Sequence, residues 1–216
     1  MRLLTTRNTK ILKGRDKGYM IFGMHLSPGR VCARATPGCL KACLNTAGQG
    51  CYRNVQDARA RKTQFFWDNT AAFLSQLRDE IAKMAKRAER KGFIPAFRLN
   101  LTSDIPWEVY GIVQEFPLLQ FYDYTKYAER HPPDNYHLTF SRGETLQNQL
   151  DAKKWLHMGR NVAVVFKDDN FPQTYWGYPV HSGEHNDLRF LDPYGIVGLK
   201  AKGRAKRDDT GFVVQP

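Results

Sequence analysis

The stretch IPAFRLNL at Ile94–Leu101 is followed by three similar runs: LQFYDYT at Leu119–Thr125, YHLTF at Tyr136–Phe140 and NVAVVF at Asn161–Phe166. All four are short, apolar and aromatic, the pattern of buried strands. Helical segments are expected between them at Pro106–Phe116 and Thr145–Met158, with a turn near Lys126–Arg130. Strands that alternate with helices predict a parallel sheet and an α/β fold. Upstream, Tyr19–Leu26 (YMIFGMHL) reads as a first strand, and Val55–Lys91 as helix, with Phe66, Phe73, Leu77, Ile81, Met84 and Ala88 at helical spacing. Asp68 and Asn69 are candidate caps for a second helix in that stretch, and Gly92 is a good stop. Downstream, Val180, Leu188–Leu191 and Ile196–Leu199 predict further strands between Gly and Pro turns. The expected whole is one domain over residues 1–216: a basic, cysteine-rich part (1–62), an alternating core (63–170) and a strand-rich extension (171–216). The architecture expected is a partial (βα) barrel-like parallel sheet.

The chain has 216 residues, 42% hydrophobic and 25% charged, enough for a core without disulfide staples. No apolar run approaches the roughly 18 residues of a membrane helix. The first ten residues, MRLLTTRNTK, lack the apolar run and cleavage site of a secretory signal. A cytoplasmic protein is expected, with no membrane partner; the oligomeric state is left open.

Charge is distributed unevenly. The net charge is +12, and residues 1–62 carry +11 of it, with 13 Lys and Arg against only Asp16 and Asp57. No carboxylate occurs between Lys17 and Gln56. Such a one-sign field attracts polyanions, so DNA or RNA is the expected partner.

All four cysteines, Cys32, Cys39, Cys43 and Cys51, lie in the basic segment, in VCARATPGCLKACLNTAGQGC. Clustered thiols in a reducing compartment point to metal, and Arg30, Arg34 and Lys41 are expected to lower their pKa values. Structural zinc prefers two close ligand pairs, and here only Cys39 and Cys43 are close. The irregular spread also suits an iron–sulfur cluster, whose four ligands can come from one loop. Iron–sulfur, zinc and unligated or disulfide-forming thiols all stay open.

In α/β proteins the chemistry sits at the carboxyl ends of the strands. Those ends are polar here: Thr102-Ser103-Asp104, then Asp123-Tyr124-Thr125-Lys126, Ser141-Arg142 and Lys167-Asp168-Asp169. Asp104 and Asp123 are expected on one rim with the cysteine loop, facing a common cavity. Each turn taken alone is equally a helix cap. His25 is a ligand or a packed ring; His181 and His185 have i, i+4 spacing, but Gly183 lies between them. Trp67, Tyr122, Tyr124, Trp155, Tyr175 and Trp176 are base-stacking or core aromatics.

The cysteine loop, RLNLTSDIPWE, QFYDYTK, NYHLTFSR, NVAVVF and the stretch NDLRFLDPYGIVGLKAKG resemble a family of phage-encoded proteins related to mycobacteriophage gene product eighty-eight. The resemblance runs from about Leu26 to Val214 and implies the host bacterial cytoplasm. The order of parts also resembles a radical S-adenosylmethionine enzyme, with strand, cysteine loop, helix and further strand–helix units. That resemblance implies an iron–sulfur enzyme with Cys39, Cys43 and Cys51 on the cluster, and the basic bias makes nucleic acid or a nucleotide its expected substrate. Asp104, Asp123, Lys126, Ser141 and Arg142 would line its pocket, and Ser103 and Thr125 would contact the cofactor. Cys39-x3-Cys43 matches the start of those enzymes' motif, whereas Leu44-Asn45-Thr46 stands where the third cysteine is expected, and Cys32 is surplus. If all four thiolates hold one cubane, no iron is left open for S-adenosylmethionine. The other readings are a zinc- or iron–sulfur-stapled nucleic-acid-binding protein, and a metal-stapled hydrolase or base-transferring enzyme using Asp104 or Asp123.

Overall fold

Phe22, Phe97 and Phe121 are register partners on three neighbouring parallel strands. Their rings stack at centroid distances of 5.3 and 5.4 Å. This ladder runs through the core of a computed structural model that describes residues 1–6 and 9–215. The strands are β1 (Leu4–Thr5), β2 (Tyr19–Met24), β3 (Ile94–Arg98), β4 (Gln120–Thr125), β5 (Tyr136–Ser141), β6 (Val162–Phe166), β7 (Thr174–Tyr175), β8 (Tyr178–Ser182) and β9 (Ile196–Lys200). They form one sheet in the order β1-β2-β3-β4-β5-β6-β9-β8-β7. From β2 to β8 the neighbours are parallel; β1 and β7 are antiparallel at the edges. The protein is a single α/β domain with a mostly parallel mixed sheet.

The helices are α1 (Thr9–Leu12), α2 (Pro37–Lys41), α3 (Arg53–Asp68), α4 (Thr70–Glu89) and α5 (Leu146–His157). Asn69, not Asp68, caps α4 by accepting from Ala72 N at 2.9 Å. Gly92 takes φ +73°, letting Phe93 N reach back to Ala88 O at 3.0 Å and close the helix. Phe73, Leu77 and Ile81 of α4 and Trp155 of α5 are buried in the same core as the phenylalanine ladder. With both faces of the central strands covered, these strands read as continuous apolar runs.

On the opposite face, Ile21, Ala96 and Tyr122 pack against Leu188 from the β8–β9 crossover. Arg98 also points there, with its Nη1 2.9 and 2.7 Å from the two Asp187 oxygens. Leu188–Leu191 is therefore not a strand: Arg189–Leu191 is a 3-10 turn, with Leu188 and Phe190 packed on this face and Leu191 exposed. Pro106–Phe116 is likewise not a helix. Trp107–Tyr110 makes one 3-10 turn that stops at Gly111, where φ is +73°. Asn100 Oδ1 draws that turn inward by accepting from Ile105 N at 3.0 Å and Trp107 Nε1 at 3.2 Å. Among the described residues, no helix is long and apolar enough to cross a membrane.

Candidate functional site

The loop after β2 is stitched to the loop after β3 by three bonds: Leu101 N to Met24 O (3.0 Å), Asp104 N to Val31 O (2.9 Å) and Thr102 Oγ1 to Leu26 O (2.6 Å). The cysteine loop is thereby fixed over the carboxyl ends of the strands. The next strand ends are tied together in turn. Asp104 Oδ2 accepts from Lys126 N at 2.7 Å, and Lys126 Nζ donates to Ser141 O at 2.7 Å and to Ser141 Oγ at 3.0 Å. Thr125 adds a hydroxyl bond to Asp104 and accepts from Tyr127 N at 3.0 Å. Asp104, Thr125, Lys126 and Ser141 thus form one chain across three strand ends.

Asp104 has one oxygen without a hydrogen bond, Oδ1, which is buried and lies 3.6 Å from Arg130 Nη1. Burial raises the pKa of its carboxyl, against the opposing pull of the Lys126 N–H and Arg130. Lys126 is buried, its ammonium 5.4 Å from the Phe212 ring centre, and burial lowers its pKa against the pull of Cys39, Asp104 and Glu144. Arg142 serves the tail instead: its Nη1 donates to Gly211 O at 2.5 Å and to Phe212 O at 3.0 Å.

Three of the cysteines share an environment. Cys39 and Cys43 act on the Cys32 thiol, Cys43 acts on Cys39, and Asp104 acts on both Cys32 and Cys39. Cys39 rides on α2, whose first turn is capped by Thr36 and clasped by Glu144. Cys43 Sγ accepts from Asn45 N at 3.4 Å, and Asn45 is gripped by the buried Arg59. Cys51 stands apart, exposed, with its thiol 2.9 Å from Gly48 O.

The sequence neighbours Arg30, Arg34 and Lys41 do not acidify these thiols. Burial pushes the Cys32 thiol up to about 12 and raises Cys39 and Cys43 as well. Desolvation outweighs the nearby charge, and the cations that do act are Lys126 on Cys39 and Arg59 on Cys43. Among the described residues, no three His, Cys, Asp or Glu side chains are close enough to hold a metal ion. A single zinc, with Zn–S bonds of about 2.3 Å, would require the thiols to draw together.

Asp123 does not join Asp104 in a common cavity. It is buried on the helix-covered face, where it accepts from Asn100 N at 2.8 Å, Asn100 Nδ2 at 3.2 Å and Tyr136 Oη at 2.8 Å. Burial pushes its carboxyl up to about 7. Ser103 is also inward, donating to Asn100 Oδ1 at 2.7 Å. His25 packs near the loop with Nδ1 3.4 Å from Thr102 Oγ1, and burial lowers it to about 3. His181 Nε2 lies 3.2 Å from Tyr194 O, and His185 is exposed. Of the six aromatics, Tyr122 and Trp155 are core and Trp67 is exposed at 45%. An open cavity of about 560 Å³, lined by Gln120, His137, Trp155, Arg160 and Tyr194 among others, lies at the other end of the strands. Glu144, Arg130 and Asn100 escaped the sequence reading because no local spacing marks them, and Arg59, one of the basic-segment cations, is buried on Asn45.

Compared with curated proteins and with solved structures, the chain has no match. The sequence model described as gene product 88 matches residues 2–216, nearly the whole chain. As the resemblance from the cysteine loop to NDLRFLDPYGIVGLKAKG implied, the chain belongs to the gene product 88 family.

Proposed function

We propose that the cysteine-bearing end of the sheet is an iron–sulfur site, and that the protein is an enzyme of radical S-adenosylmethionine-like build acting on nucleic acid or a nucleotide. One observation carries the reading: on the loop after β2, Cys39 and Cys43 lie near enough to act on the Cys32 thiol and Cys43 on Cys39, and β2 to β6 follow in chain order as parallel neighbours. With Cys51 exposed and its thiol turned to Gly48 O, three thiolates remain for a cubane. The assignment therefore moves from Cys39, Cys43 and Cys51 to Cys32, Cys39 and Cys43. When bound, such a cluster supplies an electron and one open iron for the amino and carboxylate groups of S-adenosylmethionine.

The chain's own groups have defined tasks in this reading. Lys126 holds positive charge beside Cys39, offsetting the negative charge of bound thiolates. Asp104 Oδ1 offers an unused acceptor to an ammonium or hydroxyl, while Thr125 and Ser141 fix the two charged side chains in place. Asp123, Ser103 and Arg142 support the walls rather than touch a ligand. Asp104 is thus also the carboxylate that suits the hydrolase reading, because every oxygen of Asp123 is engaged.

Anaerobic purification, absorption spectroscopy and iron and zinc analysis test this, on the parent and on Cys32→Ala, Cys39→Ala, Cys43→Ala and Cys51→Ala. The expected result is broad absorption near about 400 nm, lost in the first three variants and kept in the last. A colourless zinc protein would instead favour the stapled binding module. Loss of the cluster in Cys51→Ala would remove the open iron and with it the enzyme.

A further inference from the structure

We infer that the face around the cysteine loop binds single-stranded nucleic acid, its phosphates on Arg30, Arg34, Arg53 and Arg204 and its bases on Tyr52 and Trp67. This names the substrate class of the proposed function and rests on reading that face as the reactive end.

Two basic runs far apart in sequence meet here. The tail after β9 packs on the cysteine loop: Gly203 lies so close to Ala47 that a side chain at 203 would collide with it. Lys41 Nζ pairs with Asp209 at 2.5 Å on the surface. Exposed Arg204, Lys206 and Arg207 are thereby added to the carboxylate-free loop. Several cations of the first third have internal work: Arg59 holds Asn45, Lys62 donates to Leu3 O and Lys13 to Glu184 O. Arg30, Arg34, Arg53 and Arg61 are different: all four are exposed and none pairs with a carboxylate among the described residues. That leaves an uncompensated positive field on the face that carries the thiols.

Rings accompany these charges. The Arg30 guanidinium lies 5.5 Å from the Trp67 ring centre, and that of Arg34 lies 5.7 Å from Tyr127. A ring beside each guanidinium restrains it, so less side-chain entropy is lost when a phosphate binds. Trp67 is 45% exposed and Tyr52 60%. Cations interleaved with exposed rings suit unstacked bases, whose faces are free only in a single strand. Duplex readers insert a helix or ribbon into the major groove, whereas the cations here lie on loops, on a helix start and on the short 3-10 turn Gly203–Arg207.

The test is fluorescence anisotropy with a labelled 20-nucleotide oligo-dT, the matching oligo-rU, a 20-base-pair duplex and phosphatidylglycerol vesicles. Full-length protein is used with and without reconstituted iron. Single strands are expected to bind at low salt and to release as salt rises, while duplex and vesicles bind at least about tenfold more weakly. Arg30→Glu with Arg34→Glu should cost at least about tenfold and reduce the log–log salt slope by about 1.4, near 0.7 per lost phosphate contact. Trp67→Ala should cost about five- to tenfold or more, the worth of one stacked base. Lys86→Glu with Arg90→Glu, on α4 away from this face, should stay within about twofold, and circular dichroism melts should confirm that all variants fold. Equal or tighter binding of duplex or vesicles, an equal loss from the α4 pair, or no binding at low salt would overturn the inference. Because binding is read with and without iron, the two failures separate. A protein that holds no cluster yet binds single strands fails only the metal reading; a clustered protein that ignores them fails only this one.

Discussion

Thr36 and Glu144, 108 positions apart, meet at the carboxyl end of the sheet, where Thr36 Oγ1 donates to Glu144 Oε2 at 2.6 Å. The same threonine oxygen accepts from Cys39 N at 3.3 Å, and Gly38 N donates to Glu144 Oε1 at 2.7 Å. The loop after β5 thus holds the start of the short helix that carries Cys39. Glu144→Ala leaves two donors at a buried site without an acceptor, so a loss of about 1–3 kcal/mol is expected. Glu144→Gln, which keeps one acceptor oxygen, should lose less. Urea melts check the stabilities, and Cys39 in the alanine variant should alkylate faster than in the parent. An unchanged rate would show that the clasp does not shield the thiol.

The metal-free protein should show one fast thiol and three slow ones. Cys51 is exposed, whereas burial raises the other three. Since the thiolate is the reactive form, titration with a chromogenic disulfide at mild alkaline pH should modify Cys51 at least about tenfold faster. Cys51→Ser should abolish the fast phase. A fast phase that survives would place an accessible thiol among Cys32, Cys39 and Cys43.

Arg98 and Asp187 form a buried ion pair on the sheet face opposite the helices, with Tyr122 Oη 3.3 Å from Asp187 Oδ2 and Arg98 lying over Tyr124 at 4.7 Å. Asp187→Ala leaves the guanidinium buried without its counter-charge, for an expected loss of about 3–5 kcal/mol. Replacing both partners, Arg98→Met with Asp187→Leu, should recover most of it. Chemical denaturation distinguishes the outcomes: a double variant as unstable as the single one would mean that the charges are needed for more than each other.

Stability should rise with pH between about 4 and 6.5. Burial, the largest cause for each, lowers His25 to about 3 and His137 to about 4, so both stay neutral in the fold while the unfolded chain protonates them. Asp123 works the other way: burial raises it to about 7, so the fold keeps a proton that the unfolded carboxylate has shed. The unfolded state then holds a net excess of one proton across this window, a slope of about 1.4 kcal/mol per pH unit. His137→Gln should flatten the slope, and Asp123→Asn should steepen it towards two protons. Urea midpoints at three pH values read this out, and an unchanged slope in Asp123→Asn would mean that the native carboxyl is ionised.

Much of the fold was legible in the chain. Parallel strands covered on both faces must be apolar throughout, so YMIFGM, IPAFR and VAVVF announce themselves, and the 3.6-residue period marks α4 down to its Asn69 cap and Gly92 stop. The misread segments were those whose side chains answer to distant partners. Pro106–Phe116 reads as helical, but Asn100 and Gly111 turn it, and Leu188–Leu191 reads as a strand because Leu188 and Phe190 are apolar to cover the sheet face opposite the helices.

The candidate site divides along the same line. The thiols and the positive charge are local properties of one short segment, and the rule that parallel strands present their carboxyl ends on one side adds the polar strand ends to them. Which thiols are buried, which carboxylate keeps an oxygen without a hydrogen bond and which cations act on the sulfurs depend on contacts between residues far apart in the chain. Asp104 and Asp123 look alike in the sequence, yet alternation along β4 and the pull of Asn100 and Tyr136 bury one in the wall, while the other closes the chain to Lys126. Likewise Arg30 and Lys126 are both cations, but burial brings only Lys126 to bear on Cys39. Local sequence sets which groups are present and what each strand can bury; packing decides their dielectric surroundings and partners, and these control their charge.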